Sequence, residues 1–300
     1  MTYFSKNSPI GVIGAGNVGT ALAVALDKSG YDVVSVASRT FASAVKLSDR
    51  VSNSKPELDT QKTVDASKVV FVTTPDDSIL PVLNALKFRQ GQLIIHCSGV
   101  SSLRLFEDAN LPNGVFRACF HPIQSFASIN YDDDCFEHIT IGIEGTSYIK
   151  EFLQKICADF GANFVELRPE DKSIYHLSGV LMGGLLSEYV AMCAELWVSF
   201  GLSREQGVKA LLPMMKQVSN NIEKYGIPNA VAGPFARGDV GTISKHIEAI
   251  SKYKPDLLPF YCHLSMQGLQ FVEEKNQLDS DVIHQMKNML EEKLEDRQII

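Results

Sequence analysis

The chain has little excess of either charge and no residues spaced to hold a metal. Its 28 Lys and Arg stand against 35 Asp and Glu, a net charge of −7. No basic stripe appears, so neither a nucleic-acid partner nor an anionic membrane is expected. Six cysteines (97, 119, 135, 157, 193 and 262) form no CxxC pair and no Cys/His spacing suited to zinc. They read as reduced thiols, which makes the cytoplasm the expected compartment and leaves no metal expected. The opening MTYFSKNSP lacks the apolar run of a secretory signal. The longest apolar stretch, residues 177–200, contains Glu188 and Glu195 and reads as a buried amphipathic helix rather than a membrane span. There is no internal repeat and no low-complexity tract. At 300 residues, 45% hydrophobic and 21% charged, the chain is long enough for two globular domains.

What is present is concentrated in residues 9–40, PIGVIGAGNVGTALAVALDKSGYDVVSVASRT. An apolar run ends in Gly14-Ala15-Gly16-Asn17-Val18-Gly19, passes into an Ala/Leu/Val-rich helical stretch, and is followed by a second β-branched run. Strand, glycine turn, helix and strand within about thirty residues are the context a dinucleotide fingerprint requires. Gly14 allows a tight turn, Gly16 lets a pyrophosphate approach, and Gly19 lets the helix lie close on the sheet, with Asn17 and Val18 at the helix start. The second strand ends in Ser38-Arg39-Thr40 with no carboxylate. An acid there would accept from a ribose 2′-OH, whereas a guanidinium between two hydroxyls suits a 2′-phosphate, so the expected cofactor is NADP.

Strand-like and helix-like segments alternate through residue 167, predicting a doubly wound, mainly parallel α/β sheet. The predicted strands include 115–120, 138–143 and 163–167, with helices at 42–47, 78–86 and 147–160. Beyond Arg168 strand signals stop, and helical periodicity covers about 170–200, 203–224, 241–252, 256–275 and 281–297. The expected organisation is a Rossmann domain over 1–168 and an all-α domain over 169–300. Ser203 and Gln206 read as a capping box, and Asp239 precedes another helix start.

In an open α/β sheet ligands lie beyond the C-terminal strand ends. Thr74, Pro75 and Ser98 stand at such ends, as do His96 and His121. Each histidine suits acid, base or polarising work near neutral pH, or is simply packed. Lys172, Tyr175 and His176 open the long helix, and Lys172 with His176 share one face. Either would suit proton donation to a carbonyl or imine; the alternative is a solvated lysine beside a helix-start histidine. Gly179, Gly183 and Gly184 cost roughly 1 kcal/mol each in a helix, which suggests close approach by a neighbouring helix or by the cofactor. The loop Ala232-Gly233-Pro234-Phe235-Ala236-Arg237-Gly238-Asp239 presents one guanidinium, for a substrate carboxylate or phosphate or for a structural ion pair, and His246 follows it toward the same expected cleft.

These residues together resemble the Rossmann-like proteins that carry the C-terminal helical domain of unknown function 2520. That group is similar to pyrroline-5-carboxylate reductase, to deazaflavin-dependent NADP oxidoreductases and to 3-hydroxyacid dehydrogenases. The resemblance rests on Gly14–Gly19, Ser38-Arg39-Thr40, Thr74-Pro75-Asp76, His96-Cys97-Ser98-Gly99 and His121-Pro122. It continues in Lys172 with Tyr175-His176, Leu212-Pro213, and Gly233-Pro234-Phe235-Ala236-Arg237-Gly238-Asp239 with Thr242 and His246. It implies an NADP-type oxidoreductase fold and a homodimer built through the helical domain, and establishes no substrate. The residues themselves lead to the expectation of an NADP(H)-dependent oxidoreductase acting on a small carbonyl, imine or hydroxyacid in the cleft between the domains. Lys172 or His176 would supply the proton and Arg237 would orient an acidic substrate. The departures are Gly184 where the family usually carries Asn, and Ala232 where it carries Thr. A protein that binds NADP without turnover, as a regulator or scaffold, is the alternative they leave open.

Overall fold

The computed structural model describes residues 4–127 and 135–295. Among these, eight strands form one sheet in the order β3-β2-β1-β4-β5-β6-β7-β8. The strands are β1 (Ile10–Ile13), β2 (Val33–Ala37), β3 (Lys55–Glu57), β4 (Val69–Val72), β5 (Leu93–His96), β6 (Phe116–Ile123), β7 (Thr140–Glu144) and β8 (Asn163–Glu166). Pairings through β6 are parallel, β7 runs antiparallel to β6, and β8 is parallel to β7. Helices α1 (Asn17–Lys28), α2 (Phe41–Ser48), α3 (Thr60–Ala66), α4 (Asp76–Ala85) and α5 (Ser147–Asp159) connect them. The sheet is the doubly wound Rossmann type.

The continuous apolar strands follow from burial on both faces. Ile10, Val12, Val69, Phe71, Leu93 and Ile95 enter one core, and Ile13, Val70, Val72 and Ile94 enter the other. Sequence reading misses β3 and α3. The strand is only Lys-Pro-Glu, and a proline is tolerated there because β3 is the sheet's edge.

The chain divides into two units, Met1–Leu185 and Leu186–Ile300. Strand signals end near Pro169, but the first unit extends further because α6 (Lys172–Met182) is anchored to the sheet by the buried Lys172 side chain. The expected single buried helix over 170–200 is corrected in two ways. Gly183 ends α6, and α7 (Gly184–Glu195) starts anew before a 3₁₀ turn at Leu196–Phe200. Its apolar side chains are also largely exposed: Leu181 by 52%, Met182 by 71% and Phe200 by 64%. Pro169–Phe200 is long and apolar enough to cross a membrane on length and hydropathy, but it contains the Gly183 break and the buried Lys172.

The second unit contains α8 (Arg204–Tyr225), α9 (Val240–Tyr253), α10 (Leu258–Lys275) and α11 (Ser280–Glu295). Ile243, Ile247 and Ile250 of α9 pack with Leu258, Cys262 and Leu269 of α10 and with Ile283, Met286 and Leu290 of α11. The capping box at Ser203 and Gln206 forms, and Asp239 caps α9 through the Thr242 N–H at 3.0 Å. Residues 296 and 297, expected in the last helix, lie outside the described residues.

Candidate functional site

Among the described residues of the first unit, two clefts bear on function. The larger, about 700 Å³, lies past the C-terminal ends of β1, β2 and β4 and is lined by Gly14, Ala15, Gly16, Ser38, Arg39, Thr40, Thr74, Pro75 and Asp77. Gly14 sits at φ +113°, and a Cβ there would meet the Thr73 backbone at 2.9 Å. A Cβ on Gly19 would meet the Gly14 carbonyl oxygen at 2.0 Å, so this glycine is what lets the helix start so close to the turn. Gly16 differs, because a Cβ there would meet nothing within 4 Å. No side chain caps α1, and no acid stands in its first turn, so its N–H groups are left for an anion.

The rest of the rim is equally unspent. The buried Thr74 hydroxyl has no hydrogen-bond partner among the described residues. Arg39 is exposed and makes no ion pair among them. An orphaned hydroxyl, a free guanidinium and an uncapped helix start fit a phosphorylated dinucleotide. Asn17 turns its side chain elsewhere: its amide donates to the Phe126 carbonyl at 2.8 Å. Of Asn17, only the backbone remains for the cofactor, beside that of Val18.

The second cleft, about 500 Å³, is lined by His121, Gln124, Ser125, His176, Gly179 and Gly184, among others. The His121 and His176 rings meet edge to face, 5.8 Å between centroids. Both Nε2 atoms converge over Gly99, whose Cβ would come within 2.7 Å of His121 Nε2 and 2.9 Å of His176 Nε2. Burial, then the nearby Lys172 charge, pushes His121 down to about 3, so its ring is neutral. Tyr175 bridges beneath: its hydroxyl accepts from the Gly142 N–H at 3.1 Å and lies 3.1 Å from the His121 carbonyl and 3.3 Å from His121 Nδ1. Gly142 makes room for it, since a Cβ there would meet the Tyr175 hydroxyl at 2.9 Å.

Lys172 is not in this cleft. It is fully buried, and Nζ donates to the Ser98 carbonyl at 2.8 Å and to Cys119 Sγ at 3.0 Å, with Glu144 Oε1 at 3.8 Å. With its ammonium engaged among β5, β6 and β7 and outside the cleft, Lys172 is not placed to hand a proton to a substrate, so the expectation for Lys172 is corrected. Ser98 is corrected likewise. It is 4% exposed, its carbonyl holds Lys172, and its hydroxyl accepts from the Ser101 N–H at 2.9 Å. His96 is buried against Phe106, and its Nδ1 accepts from the Ser98 N–H at 3.3 Å.

The glycines of the long segment also separate in role. Gly179 lets Ile123 approach, with Cγ1 3.0 Å from where a Cβ would stand. Gly184 faces open space within the cleft. Arg237 is exposed in a 3₁₀ turn of the second unit. His246, expected to share a cleft with it, lines instead an apolar cavity of about 590 Å³ within that unit, where Nδ1 meets the Tyr261 hydroxyl at 3.2 Å.

Sequence reasoning gives Tyr175, Gly99, Cys119 and Glu144 no role. The available signal was Gly142, a lone glycine inside a strand, which often marks close approach by another group.

Residues 9–99 match the family described as NADP oxidoreductase, coenzyme F420-dependent, and residues 139–267 match the domain of unknown function 2520. Among curated proteins none matches. A Bacteroides fragilis protein provisionally described as an NADP oxidoreductase is similar at 25% identity over 88% of this chain and 99% of its own, with a TM-score of 0.72. A 1-pyrroline-5-carboxylate reductase from Streptococcus pyogenes shares the fold at 15% identity, covering 95% of this chain and 100% of its own (TM-score 0.62). A reductive aminase from Aspergillus terreus, solved with NADPH and ethyl levulinate, shares it at 16% identity, covering 97% and 94% (TM-score 0.57).

Proposed function

We propose that this chain, which joins an NADP oxidoreductase segment to a domain of unknown function 2520, is an NADP(H)-dependent oxidoreductase acting on a small carbonyl, imine or hydroxyacid. The observation that carries the reading is the pair of imidazoles, His121 and His176, packed edge to face and both lining a cleft of the same unit as the glycine turn. NADPH, when bound, supplies a hydride. Gly14, Gly16, Gly19 and the start of α1 hold its pyrophosphate, Ser38, Arg39 and Thr40 its 2′-phosphate, and Thr74 and Pro75 its nicotinamide side. His176, which makes no hydrogen bond among the described residues, moves the proton at the reacting heteroatom, and His121 orients that atom. Residues 1–168 serve the cofactor and 169–300 the substrate and self-association.

Two measurements test this. In a panel of carbonyl, imine and hydroxyacid substrates followed by NADPH absorbance, His176→Ala is expected to lower kcat about a hundredfold while NADPH affinity stays unchanged. Binding without turnover of any substrate would favour a regulatory NADP-binding protein, a reading that the sequestered Lys172 and the absent amide at Gly184 keep in play. Separately, Arg39→Asp is expected to weaken NADPH binding at least about tenfold and to favour NADH, by fluorescence titration. Equal affinity of the parent protein for both nucleotides would refute the role of Ser38, Arg39 and Thr40.

The proposal includes a homodimer. Leu181, Met182 and Leu185 are each more than 40% exposed within about eleven residues of Ile174, itself 66% exposed, and a second copy of this chain would cover such large apolar side chains. Light scattering after gel filtration should give twice 33.0 kDa. Leu181→Lys with Leu185→Lys should give the monomer mass; an unchanged dimer would place the interface elsewhere.

A further inference from the structure

Tyr175 is tied to His121 twice, at its carbonyl and at its ring, and the two contacts together constrain where the ring proton lies. The phenol has one proton and accepts from the Gly142 N–H at 3.1 Å. The His121 carbonyl, 3.1 Å away, can only accept, so it takes the phenol proton. The contact at 3.3 Å between the hydroxyl and Nδ1 is then attractive only if Nδ1 carries a hydrogen and donates to the oxygen's remaining lone pair. His121 and Gly142 are themselves paired across β6 and β7, so the hydroxyl is held by the sheet and not by a mobile loop.

We infer that Tyr175 is a positioning residue that locks His121 in its Nδ1–H tautomer, leaving a bare Nε2 in the cleft to accept a hydrogen bond from a substrate whose reacting heteroatom carries hydrogen. The selectivity half rests on the proposed reading of this cleft as the substrate site; the tautomer half does not. Two further facts agree with the lock. Burial drives the Tyr175 phenol up to about 12, which keeps its proton available to donate. Burial and the Lys172 charge keep the imidazole neutral, so a single tautomer is meaningful across the working pH range. His121 Nε2 makes no hydrogen bond among the described residues and lies 2.7 Å from the point a Gly99 Cβ would occupy. Gly99 lets the two rings pack closely, and His121 lines the cleft, so the nitrogen offers its lone pair to whatever occupies that cleft. An alcohol or an N–H compound satisfies it, whereas a ketone oxygen brings a second acceptor against it.

The first test is ring ¹⁵N spectroscopy of the histidine-labelled full chain, with His121 assigned by the signals lost in His121→Gln. The Nδ1–H pattern is expected in the parent protein between about pH 5 and 8, giving way in Tyr175→Phe to the Nε2–H form or a mixture. An Nε2–H form in the parent, or an unchanged Nδ1–H form in Tyr175→Phe, overturns the lock. The second test loads the protein with NADP⁺ and compares cyclohexanol with cyclohexanone as probes. The alcohol should bind about fivefold more tightly in the parent, and the ratio should fall toward one in Tyr175→Phe. Equal or tighter binding of the ketone by the parent overturns the selectivity. Because the spectrum needs neither cofactor nor turnover, failure of the oxidoreductase reading leaves the first test decisive.

Discussion

Lys172→Ala is expected to destabilise the first unit by about 3–5 kcal/mol, because breaking a buried charge pair from one side strands the other partner. At roughly 2–4 °C per kcal/mol for a unit of this size, the melting temperature should fall by about 10 °C. Lys172 Nζ is the cation beside Glu144, a residue only 2% exposed whose Oε2 already accepts from the Leu103 N–H at 3.2 Å. Burial raises the Glu144 carboxyl above its ordinary range, and the Leu103 hydrogen bond and Lys172 only partly restrain it. Removing Lys172 also leaves the Ser98 carbonyl and the Cys119 thiol without their donor. Adding Glu144→Gln to Lys172→Ala should recover part of the loss, since a neutral amide is far cheaper to bury than an unpaired carboxylate. The effect should be insensitive to salt, because the pair is shielded from counterions. If Lys172 were the proton donor, Lys172→Ala would instead abolish turnover with the melting temperature unchanged. Thermal melts of the two variants beside the parent therefore separate a structural pin from a catalytic acid.

The sequence misplaces Lys172 for a physical reason. Spacing correctly puts Lys172 and His176 on the same face of α6, and that face does meet the sheet. Spacing does not say how far along the side chain the burial ends. A long aliphatic stem usually carries its ammonium out to water, and only the three-dimensional meeting of Ser98, Cys119 and Glu144 captures it here. Those partners come from β5's end, β6 and β7, up to 74 residues distant in sequence, so no local pattern links them. The glycine turn behaves differently. Gly14 to Gly19 and Ser38 to Thr40 follow one another within a single βαβ unit, and although Thr73 after β4 also braces the turn, their arrangement around the first cleft is legible from strand, turn and helix signals alone. The apolar strands were equally legible, because burial on both faces writes itself as an unbroken β-branched run. The edge strand β3 was not, since a polar Lys-Pro-Glu segment carries no burial signal. His121 and His176 fall in between: each stood at a plausible position, but their convergence over Gly99 depends on α6 lying against the sheet through Lys172.

Acidification from about pH 8 to 5 should cost on the order of 4 kcal/mol of stability through His96 and His121 alone. Burial, then the Lys172 charge, pushes each ring down to about 3 in the folded chain, against about 6.5 when unfolded. The unfolded chain therefore binds up to two more protons than the folded one between those values. Stability rises with pH wherever the unfolded state holds more protons, so this contribution is complete above about 6.5 and is lost as pH falls toward the folded values. Each histidine contributes about 1.4 kcal/mol per pH unit once well inside that window. Glu144 works in the opposite sense. Its folded value is raised, so its contribution is present at low pH and is lost as pH rises through that value. Urea melts at pH 8, 6 and 5 should show the midpoint dropping steadily. His121→Gln and His96→Gln should each remove about half of the drop, while Glu144→Gln should steepen it. A midpoint that stays level from pH 8 to 5 in the parent would mean that the two imidazoles are not held neutral. The neutral His121 ring, on which the acceptor role of Nε2 depends, would then be lost as well.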